Sequence, residues 1–159
     1  MSAAGEPAPG IRRDGTVLGF DVGARRIGVA VGSAFAAAAR AVAVVDARAA
    51  GPDWAQVERL VREWRPDGLV VGDPMTLDGG DQPIRRAAQL FARELARRTG
   101  LPVVMVDERN SSQEAAHRFA GERASGGRRR KDAELLDAVA AAVIVERWLA
   151  APQDALPVG

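Results

Sequence analysis

The stretch Val17-Leu18-Gly19-Phe20-Asp21-Val22-Gly23-Ala24-Arg25-Arg26-Ile27-Gly28-Val29-Ala30-Val31 constrains the fold more than any other part of this chain. Two apolar runs meet at Gly23-Ala24-Arg25-Arg26, the pattern of a β-hairpin, and the first run carries one carboxylate, Asp21. An ionised aspartate in a buried strand is costly unless it is paired, hydrogen-bonded or bound to a cation. A purely structural reading, in which Asp21 accepts hydrogen bonds from the backbone of its own turn, stands beside the functional one.

The rest of the chain reads as an α/β domain built outward from that hairpin. Strands are expected at residues 16–22, 27–32 and 41–45, joined by short connections and therefore antiparallel. The period then changes: Trp54, Val57, Leu60, Val61 and Trp64 recur at helical spacing until Arg65-Pro66-Asp67-Gly68. Gly68-Leu69-Val70-Val71-Gly72 and Val103-Val104-Met105-Val106 are continuous apolar runs, as in strands covered on both faces. Between them a helix is expected from near Pro83 to Thr99-Gly100, with Ile84, Ala88, Phe91 and Leu95 on one stripe. Ser111 and Glu114 have capping-box spacing for a helix reaching about Ala120. Residues 121–131 read as a basic loop, and a final helix runs from about Asp132 to Ala150.

Strands joined through helical crossovers lie parallel to their neighbours, so the expected fold is a mixed five-stranded sheet, three antiparallel strands then two parallel, flanked by helices. One domain over residues 14–150 accounts for the 159-residue length, with residues 1–13 and 151–159 as flexible ends. There is no signal-peptide core and no run long enough to cross a membrane, which reads as a cytoplasmic protein.

Composition narrows the chemistry. The chain has no cysteine and one histidine, His117, which excludes disulfides, thiolate zinc sites and cysteine nucleophiles and makes a Ser-His pair a poor reading. A bound metal must then be held by oxygen, which favours Mg2+ or Mn2+. A formal charge of +1 does not announce a nucleic-acid binder, so that reading rests on where the arginines cluster.

Two further carboxylates stand out. Glu108 falls just past the end of an expected strand, where sites form in open α/β sheets. Asp137 shares a helical stripe with Ala141, Ile144 and Trp148, a stripe that should face the sheet. Each has an ordinary explanation: Glu108 as a helix-start acid or partner of Arg109, Asp137 as an ion-pair partner of Arg128, Arg129 or Arg130. Trp54, Trp64 and Trp148 read as core. Three carboxylates directed inward repel one another, and a shared divalent cation reverses the sign of that energy.

Taken together, these segments resemble the YqgF/RuvX family. The resemblance is carried by the hairpin Gly19 to Ala30, by Val70-Val71-Gly72-Asp73-Pro74-Met75-Thr76-Leu77-Asp78-Gly79, by Asp107-Glu108-Arg109 with Ser111-Ser112 and Glu114-Ala115, and by Leu136-Asp137-Ala138-Val139-Ala140-Ala141-Ala142-Val143-Ile144. It runs in order over roughly Val17 to Leu149. Asp73 and Asn110 depart from the family pattern; for Asp73 the expectation is an extra carboxylate behind the site or a loop cap.

The resemblance implies an RNase H-like fold related to Holliday-junction resolvases. It also implies a nuclease acting on pre-16S ribosomal RNA or, alternatively, on four-way DNA junctions. Asp21, Glu108 and Asp137 then correspond to the metal-binding, catalytic acids, with Mg2+ or Mn2+ activating water for phosphodiester hydrolysis. Arg25, Arg26, Arg109, Arg128, Arg129, Arg130 and Lys131 become the nucleic-acid contacts, the last four in a basic arm. Two other classes compete. An actin-like ATPase shares the opening hairpin but needs two lobes, and a non-catalytic nucleic-acid-binding factor predicts binding that survives Asp21→Asn.

Overall fold

The computed structural model describes residues 11, 14–36, 38–48, 50–74, 82–107 and 129–158. The hairpin forms as expected. β1 (Thr16–Val22) pairs antiparallel with β2 (Arg26–Ser33), Asp21 opposite Gly28 and Val22 opposite Ile27. The Gly23 N–H donates to the Arg26 carbonyl at 2.9 Å and closes the turn. β3 (Ala38–Arg48) adds on the other side of β2, with a bulge opposite Val29/Ala30. Alternation along these strands sorts large and small residues onto opposite faces.

α1 (Trp54–Trp64) starts at Asp53, whose side chain accepts from the Gln56 N–H, and ends at Arg65 in the left-handed region with φ 47°. The Thr16 N–H donates to Asp67 Oδ2 at 2.8 Å, tying the start of β1 to the turn after α1. β5 (Gly68–Asp73) lies parallel to β1, and β6 (Val103–Asp107) parallel to β5. α2 (Gln82–Thr99) crosses between them and stops at Gly100, φ 71°.

Among the described residues the sheet has seven strands, not five, in the order β4-β3-β2-β1-β5-β6-β7. The expected five are its centre, with the expected directions. The extra two, β4 (Gly51–Pro52) and β7 (Leu156–Val158), cap its edges by antiparallel pairing with β3 and β6. Two- and three-residue strands that contain proline leave no alternating signature to read. β7 and the 3-10 turn Pro152–Asp154 draw residues beyond 150 into the fold. Ile11 is buried against Gly68, so it too packs into the fold.

One face of the sheet packs on α1 and α2 through Leu18, Phe20, Val29, Leu69, Val71 and Leu95. Its centre is aromatic: Phe20 meets Phe91 at 5.3 Å, and Trp54 stacks on Phe91 at 5.0 Å. The other face packs on α3 (Arg129–Ala150) through Val17, Ala30, Val70, Val104 and Ala141, Ile144 and Trp148. The helical stripe expected to face the sheet therefore does so.

α3 begins at Arg129, three residues earlier than expected. This places Arg129, Arg130 and Lys131 in its first turn rather than in a loop. The expected helix at 111–120, His117 and most of the basic loop lie outside the described residues.

Candidate active site

Val17, Gly19 and Asp21 alternate with Leu18, Phe20 and Val22, and the larger set faces α1 and α2. Asp21 therefore faces α3, at the carboxyl end of its strand. On β2 the same rule places Arg26, Gly28, Ala30 and Gly32 under α3 and sends Ile27, Val29 and Val31 the other way.

The small residues let the helix sit directly on the strands. A methyl group at Gly28 would come within 1.9 Å of the Asp137 carbonyl oxygen. One at Gly19 would meet Val145 Cγ2 at 2.2 Å and the Ala141 carbonyl at 3.3 Å, and one at Gly32 would meet Val145 Cγ1 at 2.6 Å. Asp137, Ala141 and Val145 recur every four residues, so one line of the helix runs along a glycine track. The backbone of Asp137 is thereby set over Gly28, the strand partner of Asp21. The fold thus brings two of the three expected acids to one face at one end of the sheet.

Arg26 belongs to the same cluster. Its Nε donates to Asp137 Oδ2 at 2.7 Å, with the two side chains 33% and 30% exposed. The hairpin thus supplies a partner for Asp137; Arg128 and the side chains of Arg129 and Arg130, the partners expected from the sequence, lie outside the described residues. Because α3 starts at Arg129, Asp137 lies more than two turns in, beyond the reach of the helix dipole. The Arg26 guanidinium supplies the compensating positive charge. Arg25 is exposed in the turn, and its carbonyl accepts from the Ala47 N–H at 2.8 Å. At the far side of the site, Arg147 Nη1 donates to the Asp107 carbonyl at 3.2 Å and ties α3 to the end of β6.

Asp73 does not join this cluster. It shares the phase of Leu69 and Val71, so it faces α2, on the opposite side of the sheet. Arg85 of α2 holds it with two hydrogen bonds, Nε to Oδ1 at 2.9 Å and Nη2 to Oδ2 at 3.3 Å, and Asp73 is only 5% exposed. In place of a carboxylate behind the site it forms a strut between β5 and α2; the loop it was expected to cap lies, over residues 75–81, outside the described residues.

Glu108, Arg109 and Arg128 lie outside the described residues, and Arg129, Arg130 and Lys131 are placed only as helical backbone. Among the described residues, no group of three His, Cys, Asp or Glu side chains is placed to hold a metal ion. The glycine track was missed by the sequence reading, although its signal is present: Gly28, Ala30 and Gly32 are small at every second position of one strand, opposite an alanine-rich helix.

The comparisons with known proteins agree with this architecture. A family model described as RuvX, Holliday junction resolvase, matches residues 15–151. A protein of Xanthomonas axonopodis pv. citri named "Putative pre-16S rRNA nuclease" is 68% identical over 148 residues, covering 93% of this chain and 96% of the relative. One of the same name from Xanthomonas campestris pv. campestris (strain B100) is 66% identical over the same length and coverage. Among solved structures, RuvC of Thermus thermophilus in complex with a Holliday junction substrate superposes with a TM-score of 0.55 at 22% identity. That match covers 89% of this chain and 99% of that one, and it bears on the fold alone. On the length of the family match and the identity of these relatives, the chain belongs to the RuvX family.

Proposed function

We propose that this protein is a divalent-cation-dependent nuclease that hydrolyses phosphodiester bonds at the 5′ end of pre-16S ribosomal RNA. Family membership and the name shared by relatives near two-thirds identity support the reaction class and the RNA substrate. The observation that carries the proposal is the seating of Asp137 over Gly28, the strand partner of Asp21, which brings two acids remote in sequence to one end of one face.

The residues present fit a hard cation. The donors are carboxylate oxygens, Gly28 lets α3 close onto the strand partner of Asp21, and Arg26 shows that Asp137 accepts a positive group at close range. Asp21 would be the central ligand, with Asp137 and Glu108 completing the set; Glu108 follows Val106, which lies on the α3 face, by two residues. When bound, Mg2+ or Mn2+ supplies activation of water and neutralisation of charge at the leaving oxygen. Arg25 and Arg26 beside the acids, with Arg109, Arg128, Arg129, Arg130 and Lys131, hold substrate phosphates and fix its register. No helix among the described residues is long and apolar enough to cross a membrane. An rRNA substrate supports a cytoplasmic site of action.

The family's description as a resolvase favours a second reading, cleavage of branched DNA. The test incubates the protein with Mg2+ or Mn2+, a precursor-end RNA and a synthetic four-way junction, alongside Asp21→Asn, Glu108→Gln and Asp137→Asn. Cleavage of the RNA, lost in all three variants, is expected. Paired cuts in the junction alone would reassign the substrate to DNA. Binding without cleavage that survives Asp21→Asn would make the protein a non-catalytic binding factor.

A further inference from the structure

We infer that Arg26 competes with the divalent cation for Asp137, so that cation binding and release of the guanidinium are a single exchange. The inference rests on the reading of Asp21, Glu108 and Asp137 as the cation site. Arg26 Nε lies 2.7 Å from Asp137 Oδ2, and the interaction joins residues 111 positions apart, from the first residue of β2 to the middle of α3.

The main chain at Arg26 is pinned. Its carbonyl accepts from the Gly23 N–H, and the residue pairs in register with Asp46 of β3. Asp137 is pinned as well, because its carbonyl lies against Gly28 with no room for one more carbon. Neither backbone can back away from the other. An incoming cation at this carboxylate therefore meets the guanidinium, and the movement that relieves their repulsion is a rotation of the Arg26 side chain. About a third of that side chain is already exposed, so it has solvent to turn into. A partly exposed ion pair is also weak enough for a divalent ion to replace. Once turned out, the guanidinium remains at the rim of the site beside Arg25, where a substrate phosphate is its natural partner.

The alternative geometry keeps Arg26 on Oδ2 while the cation takes Oδ1, in which case Arg26 supports cation binding instead of opposing it. Calorimetric titration with Mn2+ alone, without nucleic acid, separates the two. Arg26→Gln is expected to bind Mn2+ about fivefold more tightly than the unsubstituted protein, and Arg26→Lys, which keeps the charge, within about twofold of it. Unchanged or weaker binding by Arg26→Gln overturns the exchange, and so does a lysine variant as tight as the glutamine one. Asp137→Asn in the same series keeps this inference apart from its premise. If that variant binds Mn2+ normally, the cation-site reading itself falls. If it binds weakly while Arg26→Gln gains nothing, only the exchange falls. Thermal melting of each variant, with and without Mn2+, confirms that the titrated protein is folded.

Discussion

Asp21 and Asp73 stand at the carboxyl ends of neighbouring parallel strands, yet they occupy different worlds. The register pairs Phe20 with Val71, so the two aspartates are one residue out of step, and that single residue turns them to opposite faces of the sheet. Asp73 faces the large apolar side chains under α2 and is sealed there, both oxygens held by Arg85. Asp21 faces α3 across a track of glycines, half-buried, at the place where Asp137 and Arg26 meet. The carboxylate is the same group in both. Bulky packing and the Arg85 hydrogen bonds give Asp73 a structural role, while the glycine track beside Asp21 lets α3 close in and bring Asp137 against its strand partner.

Breaking that contrast has its largest expected effect on turnover. Asp21→Asn should lower cleavage by about a thousandfold with little change in melting temperature, since it removes charge stabilisation worth several kcal/mol in the transition state. Asp73→Asn should leave kcat within about threefold of the parent protein, because the strut does not face the site; steady-state kinetics on both variants checks the pair.

The glycine track gives the next largest effect, this time on stability. Gly28→Ala forces a carbon into the Asp137 carbonyl and should cost about 3 kcal/mol, whereas Gly19→Ala meets chiefly the movable end of Val145 and should cost about 1 kcal/mol. Urea denaturation of the two variants measures the difference. Equal costs would mean that the helix backbone is not seated where the contrast requires.

On the sealed face, Asp73→Asn should cost about 2 kcal/mol, because it leaves Arg85 facing a neutral amide at a buried position. The smallest effect belongs to the exposed end of α2. Hydrogen bonds from Arg97 and then Arg98 lower the Glu94 pKa from its ordinary 4.5 to about 2. A carboxyl lowered on folding stabilises the protein fully above its unfolded value and loses that contribution as pH falls through the folded one. Melting temperatures should therefore fall between pH 4.5 and 2, and Glu94→Gln should flatten that limb slightly.

The hairpin and the stripe of α3 were legible in the sequence because each obeys a simple period: two for Val17 to Val22 and Ile27 to Gly32, near four for Asp137, Ala141 and Trp148. Knowing the face of each acid was enough to expect Asp21 and Asp137 on the same side of the sheet. What the sequence hid were matters of long-range partnership. Nothing local to Asp137 points to Arg26, and nothing local to Asp73 points to Arg85, because such pairs exist only once the sheet has stacked its helices. The edge strands β4 and β7 were hidden for another reason: they are too short to show a pattern and are held by pairing alone. The start of α3 was hidden by its composition, since Arg129-Arg130-Lys131 reads equally well as a solvated loop.

The central claim is that the α3 face, at Asp21 and Asp137, is where a divalent cation binds. Crystals of the protein soaked in Mn2+ and measured for anomalous scattering test it most directly. The account predicts a peak between the Asp21 and Asp137 carboxylates, with the Arg26 side chain turned away from Asp137. A peak on the other face of the sheet, beside Asp73 and Asp107, with Arg26 still on Asp137, would contradict it.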